Sequence, residues 1–415
     1  MALPTIYFDT GGHAQGSGSS DAASPIVSNT SGAAVAGSVV TVAGADLSGV
    51  VADGSMTVYI ADATNTNQKI FKITAVDDGA DTITVDVAPT GVIANSAWGV
   101  GGQRVYDSAE WEAAAVAGWT AIFNNSPASK ATDFITARAA GTSAAGFITV
   151  KGKTGTRPVL TVTNTNQCFE GGDNDLWWIE NLQLDQDGAS GTVLSNPGAG
   201  SVVMNVKVVD GGGIGINVNE AGVRIVASEI TATGSTGVNV AITNPAVIGN
   251  YIHDITGSGI VDNVAAFSAM YVNNIIDTCS ARGILDSGAP TTPAHQMLVA
   301  GNTVYGCGDS GLEITDADRQ VTLLNNIFSE NGNAAGEFNV EWVAGTAEAN
   351  SFHGWNVFYH SGGGGGANLS GLTVNAQVAS SEFTTDPAFT DAAGGDFSIG
   401  SSSPAKAAGF PGQFL

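Results

Sequence analysis

The sequence predicts an all-β fold, one chain wound as a single-stranded parallel β-helix, and three observations predict it. The first is a repeat. "VKVVDGGGIGI" from Val206, "SEITATGSTGV" from Ser228, "NYIHDITGSGI" from Asn250, "NIIDTCSARGI" from Asn274 and "NTVYGCGDSGL" from Asn302 start 22, 22, 24 and 28 residues apart. The second is composition. With 43% hydrophobic and 12% charged residues and 56 glycines in 415, the chain reads as globular, built of short strands and tight turns. The third is that the apolar spacing of three and four that a helical repeat needs is absent from these copies.

Each position of the repeat has a physical part. Counting the first residue of each copy as zero, position two is Val208, Ile230, Ile252, Ile276, Val304, Phe328 and Phe358, always apolar. Alternation along a strand sends that position inward, and stacking coil on coil buries the resulting column. Position zero is asparagine in Asn250, Asn274, Asn302, Asn326 and Asn356. Stacked asparagines can bond the turn backbone above and below, forming a ladder. Position nine is Gly215, Gly237, Gly259, Gly283 and Gly311, read as turn glycines that permit the bend between faces. Position ten returns to Ile216, Val238, Ile260, Ile284 and Leu312. Weaker copies begin at Leu182, Asn326 and Asn356.

This Asn…Gly-Ile repeat resembles the right-handed parallel β-helix (pectate-lyase-like) superfamily, and the resemblance extends along the chain. "IYFDTGGHAQGSGSSDAASP" (Ile6–Pro25) resembles the family's opening strand and loop, placed within residues 1–30. "FITVKGKTGTRPVL" (Phe147–Leu160) resembles its first full coil. "DPAFTDAAGGDFSIGSSSPAKAAG" (Asp386–Gly409) resembles its closing segment, placed in 371–415. The capping helix and coils then occupy 105–370. "DSAEWEAAAVAGW" (Asp107–Trp119) predicts that helix, with Asp107 as N-cap and Glu110 three residues on as in a capping box. In the family, a short helix covers the open N-terminal end of the stack, which is otherwise an exposed strand edge.

Residues 31–104 read as a small β-barrel-like insertion. "TVYIADA", "KIFKITAV" and "DTITVDVA" alternate as half-buried strands, "DDGAD" makes a hairpin turn, and "SAWGVGGQR" (Ser96–Arg104) closes the module. That phrase resembles modules in structural proteins of tailed bacteriophages; an ordinary β insertion is the alternative. "SGGGGGANLSG" (Ser361–Gly371) is a flexible loop by composition.

The net charge of −25 excludes nucleic acid and anionic membrane as partners, since both need basic patches. Three cysteines, Cys168, Cys279 and Cys307, are too few for a disulfide framework. The start "MALPTIYFDTGG" has neither a basic nor an apolar signal-peptide region, so Sec export is not expected. No apolar run reaches membrane-span length.

Candidate chemistry lies at position three, outward beside the inward Ile252. His253, Asp277 and Tyr305 occupy it in adjacent coils, about 4.8 Å apart, as a base, orienter and acid on one face. The bland reading is a solvated polar face. The adjacent His253–Asp254 pair is the poorer dyad, because strand neighbours diverge. Cys279 and Cys307 share position five: a metal pair or disulfide, or small hydrophobes of an inward column. "LEITDADRQ" (Leu312–Gln320) gathers Glu313, Asp316, Asp318 and Arg319. In β-helix lyases such carboxylates hold Ca²⁺ while a cation takes the substrate's proton. Here Lys207, Arg224, Arg282 and Arg319 are the coils' cations and lie in different coils. The family's hydrolase motifs (Asn-x-Asp, Asp-Asp, Gly-His-Gly) are missing from the coils. No metal site and no cofactor are expected, with Ca²⁺ the one alternative.

The resemblance and these residues together point to a noncatalytic protein on a tailed-phage virion surface, either capsid decoration or a small spike or fibre appendage. The alternative is a tailspike-like polysaccharide depolymerase or glycan-binding protein. A third reading is a secreted carbohydrate-binding β-helix whose leader was removed. Expected partners are other virion proteins, a host surface glycan and further copies of the chain, as in a homotrimer. The chain's immediate entry into the fold is read as lacking the separate anchoring domains of a large tailspike.

Overall fold

The computed structural model describes residues 4–13, 16–22, 24–61, 63, 68–92, 96–104, 115–137, 139–172, 174–187, 190–209, 211–231, 233–263, 268–288, 296–315, 319–332, 337–343, 351–361, 367–370 and 383–407. The chain forms two compact units, Met1–Val162 with Cys168–Gln183, and Thr163–Gln167 with Leu184–Leu415. Among the described residues no helix is long and apolar enough to cross a membrane.

In the first unit, strands Thr5–His13, Thr120–Phe123, Ile148–Gly152 and Trp177–Glu180 pair in parallel in that order. Alternation buries Phe8, Phe123, Val150 and Ile179 on one side. Between the first two of these strands, six antiparallel strands close into a barrel, from Val27–Ala36 to Ser96–Val100. Val40, Phe71, Ile83 and Trp98 fill it. The barrel opens at Val27 rather than at residue 31, because Val27–Asn29 pair with Trp98–Val100 and close the ring. Its exit needs glycine. Gly101 and Gly102 have φ of +76° and +72°, and a Cβ on Gly102 would meet the Pro25 backbone nitrogen at 2.5 Å. Arg104 leaves the barrel with its guanidinium 3.7 Å from the centre of the Tyr59 ring. Residues 107–114 of the expected capping helix lie outside the described residues; its last five, 115–119, form a turn and not helix, with the Trp119 amide bonded to the Val116 carbonyl, and Trp119 is buried.

The second unit is a parallel β-solenoid of about seven coils, and each coil contributes one strand to each of three sheets. The first sheet carries Val202–Met204, Arg224–Val226, Ala246–Ile248, Ala269–Val272, Gln296–Ala300, Gln320–Leu324 and Phe352–Gly354. The second runs from Lys207–Val209 through Tyr251–His253, Ile275–Asp277 and Thr303–Tyr305 to Val357–Tyr359. The third includes Ile214–Val218, Ser258–Asp262, Ile284–Asp286 and Phe338–Trp342. Position two forms the inward column of the second sheet: Val208, Ile230, Ile252, Ile276, Val304 and Phe328 are fully buried, and Phe358 is 1% exposed.

The bends are made elsewhere than at the position-nine glycines. The first bend has two residues in every coil, and the residue before position zero is left-handed throughout: Asn205, Ala227, Gly249, Asn273, Gly301, Asn325 and Trp355. The second bend uses position four, where Asp254, Thr278, Gly306 and Glu330 are left-handed. Gly215, Gly237, Gly259, Gly283 and Gly311 have no positive φ. They stand at the start of the third sheet, stacked so closely that a Cβ would meet the next coil. On Gly259 it would lie 2.6 Å from Ile276 Cγ2 and 2.7 Å from the Gly283 carbonyl oxygen. Their glycine identity reflects missing space.

The position-zero asparagines occupy the first bend and are almost completely buried. Asn274 Oδ1 accepts from both the backbone nitrogen (3.0 Å) and Nδ2 (3.0 Å) of Asn250. Asn250 Nδ2 also donates to the Ile225 carbonyl at 3.0 Å. The same pattern repeats through Asn302, Asn326 and Asn356. Ser228 extends it downward by donating its backbone N–H to Asn250 Oδ1.

Candidate functional site

The outer face of the second sheet carries a group of ionisable side chains. Register aligns Glu229 with Tyr251, and stacks Thr231, His253, Asp277 and Tyr305 in one column. Tyr251 and His253, two apart on one strand, lie ring on ring at 4.1 Å and 18°. His253 Nε2 is 3.5 Å from Glu229 Oε1, and Lys207 Nζ meets that same oxygen at 2.7 Å. Burial pushes the Glu229 carboxyl up, but Lys207 and His253 together outweigh it and hold the group below its ordinary value.

His253 and Asp254 do pair, against the expectation that strand neighbours diverge. The strand ends at His253, and Asp254 takes a φ of 54° that swings its carboxylate back, with Oδ2 2.8 Å from His253 Nδ1. The vertical set is less open than its register suggests. Asp277 is only 7% exposed, and its Oδ1 is buried without a hydrogen-bond partner among the described residues. Burial raises its carboxyl above the ordinary range. The Tyr251 hydroxyl donates to Asp277 Oδ2 at 3.4 Å; burial, then the Asp277 charge, push that phenol up to about 12.

Tyr305 does not stand free as an acid on an exposed face. The closing segment folds over it, with Phe397 at 5.4 Å and Phe389 at 6.0 Å between ring centres. The same segment places Phe389, Ile399 and Ala405 against Ile327, Val357 and Tyr359. The face therefore divides into a more open end at Glu229, His253 and Asp254 and a covered end from Tyr305 onward, with Gly395 of the closing segment reaching back to the Tyr251 hydroxyl.

Arg319, a candidate proton acceptor in the sequence, points into the solenoid. It is 0% exposed and pairs with Asp286, Nε to Oδ2 at 3.1 Å and Nη2 to Oδ1 at 2.5 Å, while Asp262 Oδ1 lies 3.7 Å away. Asp262 and Asp286 continue an interior column otherwise formed by Val240, Ile314 and Trp342. Its sequence neighbours Asp316 and Asp318 lie outside the described residues. Glu313 faces outward and is paired with Arg282, which also reaches Asp309 at 3.0 Å.

Cys279 and Cys307 are free thiols in an inward column with Thr233, Ile255 and Asn331. The Cys307 thiol beside it, together with burial, pushes Cys279 well above the ordinary thiol range. Among the described residues no group of three or more His, Cys, Asp or Glu side chains converges to hold a metal ion. The first unit holds a cavity of about 330 Å³ floored by Phe8 and Phe123. Its rim groups already bond one another, Asn125 reaching both the Thr10 amide and Asp9 at 2.9 Å.

Residues 191–383 match the family model of the right-handed β-helix region. No curated protein matches the chain. Among solved structures, the Dettilon tailspike protein is 15% identical with a TM-score of 0.44, covering 61% of this chain and 53% of its own. Tailspike protein 2 of Escherichia coli O157:H7 bacteriophage CAB120 is 14% identical with a TM-score of 0.47, covering 77% and 48%. The A-module of the Azotobacter vinelandii mannuronan C-5 epimerase AlgE4 is 14% identical with a TM-score of 0.41, covering 65% and 91%. This chain thus spans about half the length of the two tailspikes, and likeness at these identities concerns the fold alone.

Proposed function

We propose that this right-handed parallel β-helix is a noncatalytic structural protein of a tailed-phage virion surface, acting as capsid decoration or as a small spike or fibre appendage. One observation carries the noncatalytic part: three of the four coil cations that a polymer-cleaving site would need are engaged with carboxylates, and the fourth, Arg224, stands on the first sheet. Lys207 and Arg282 are tied to carboxylates on the outside, and Arg319 is tied to Asp286 within. Proton abstraction from a polyuronate needs a cation and a base presented together to substrate. Glycoside hydrolysis needs two carboxyls facing one bond from opposite sides. Asp277, at the centre of the column, is buried, and Tyr305 is roofed by the closing segment. The virion assignment is supported by the barrel that ends in the "SAWGVGGQR" phrase and by the acidic, lightly charged composition.

A specific observation favours a second reading, a glycan-binding or glycan-cleaving surface protein. At the open end, the His253–Asp254 pair sits beside Glu229 and against the Tyr251 ring. Incubation of the purified chain with host capsular and marine polysaccharides separates the two, with no oligosaccharide release expected. Release that disappears in His253→Ala or Asp277→Asn would overturn the noncatalytic reading. Imaging phage particles with an antibody against the chain tests the location, with regular labelling of capsid or tail as the expected result.

A further inference from the structure

Strands of a β-helix normally alternate, apolar inward and polar outward. Those of the first sheet do not. Its inward column is Val203, Ile225, Val247, Tyr271, Val299, Leu323 and His353, all buried. One outward column reads Met204, Val226, Ile248, Val272, Ala300 and Leu324, every one of them partly exposed. A second runs through Val202, Arg224, Ala246, Met270, Leu298, Thr322 and Phe352, with Arg224 exposed and Met270 39% and Phe352 46% exposed, and the strand starts add Gln296 and Gln320. Trp355 continues the face at 44% exposure, beside Phe352.

Strands apolar on both sides are the mark of a sheet covered on both sides. Here one side is covered by the solenoid interior and the other faces outward. The other two sheets are different. The second carries Lys207, Glu229, His253 and Asp277 and receives the closing segment; the third carries Asn217, Asn239, Val261, Leu285, Glu313 and Glu341 in one outward column, four of the six polar or charged.

We propose that the outer face of the first sheet is a self-association surface, occupied by the same face of a second copy of this chain. Pitch favours a copy, and charge decides which face it uses. The chain carries −25 overall, so two copies repel across most approaches. The seven strands of this sheet contain no Asp or Glu, and Arg224 is their single Lys or Arg. A second copy presents apolar ridges at the same strand spacing, about 4.8 Å, so ridges of one seat between those of the other. Seven strands at that spacing and a width of about 12 Å give about 400 Å² of flat face, or about 1,000 Å² of accessible surface for the pair. That lies at the low end of specific interfaces, so association is concentration-dependent. The inference stands whether or not the chain belongs to a virion.

Sedimentation velocity of the full chain from about 5 μM to 1 mM tests it. The expected result is reversible association that persists or tightens in 1 M NaCl, since salt screens the repulsion and leaves apolar contact intact. The double variant Met270→Glu/Leu298→Glu is expected to weaken association by about 100-fold or more while circular dichroism and melting stay unchanged. Asn239→Glu on the third sheet is expected to leave association unchanged. Thr322→Cys, joined by a short bismaleimide, supplies an arm that does not depend on destabilising variants, and crosslinked dimer is expected. A chain that stays monomeric to 1 mM overturns the proposal. So does association indifferent to the double variant, or crosslinking through Asn239→Cys in place of Thr322→Cys.

Discussion

Single residues here are constrained more by space and burial than by conformation. A methyl group on Gly259 has nowhere to go between Ile276 and the Gly283 carbonyl. Gly259→Ala is therefore expected to cost about 1–3 kcal/mol, read as a lower urea midpoint at unchanged slope. Asp277 is constrained by charge. Burial raises its folded-state pKa above the unfolded value, so folding favours the protonated acid. Its contribution is fully present below the unfolded pKa and is lost as pH rises through the folded one. Asp277→Asn should then raise the melting temperature at pH 7 and leave it unchanged at pH 3. A lower melting temperature at pH 7 would mean that the ionised carboxylate is held by a partner.

Among elements, the closing segment and the first bend carry distinct costs. Phe397 is 3% exposed and packs on Tyr305 and Phe389, joining the segment to the second sheet. Phe397→Ala is expected to destabilise the protein by about 3 kcal/mol in chemical denaturation. The first bend needs a left-handed residue in each coil, and asparagine or glycine meets that need in five of seven. Ala227 is an exception, with a φ of 48°. Ala227→Asn, matching Asn205 in one adjacent coil (Gly249 stands in the other), should stabilise by about 0.5–1 kcal/mol in the same assay. The sequence made the position-two column, the asparagine positions and the coil register legible, because apolar periodicity and residue type report them directly. It left the bends illegible, since Ala227, Thr278, Glu330 and Trp355 do not advertise a positive φ. Glycine at position nine drew attention that belonged to the residue before position zero. For the candidate site, the His253–Asp277–Tyr305 stacking could be read from the repeat. The roof over Tyr305 could not, because it comes from residues more than 80 positions later. The inward turn of Arg319 was hidden too, since its partner Asp286 stands 33 residues away.

At the scale of the whole molecule, electrostatics dominate. Only 13 lysines and arginines balance 38 acidic residues, and several of those cations are already committed to local pairs. Self-repulsion of this size destabilises a compact chain and is screened by salt. Raising NaCl from 10 mM to 500 mM at pH 7 should increase the melting temperature by several degrees, read by differential scanning calorimetry. A drop over that range would show that local ion pairs outweigh the long-range repulsion.

The coils differ in residue count, yet the first bend is always two residues long. Most of the surplus is taken up between a third-sheet strand and the next first-sheet strand, five residues after Val240, nine after Asp286 and nine after Trp342; the coil from Asn326 also lengthens its second bend, with eight residues between Ser329 and Phe338. That corner is the scaffold's natural port for grafting. A foreign epitope spliced after Val240 would project sideways without changing the rise from one coil to the next. Strand register would be preserved on either side, and the peptide would be displayed at a defined height along the stack.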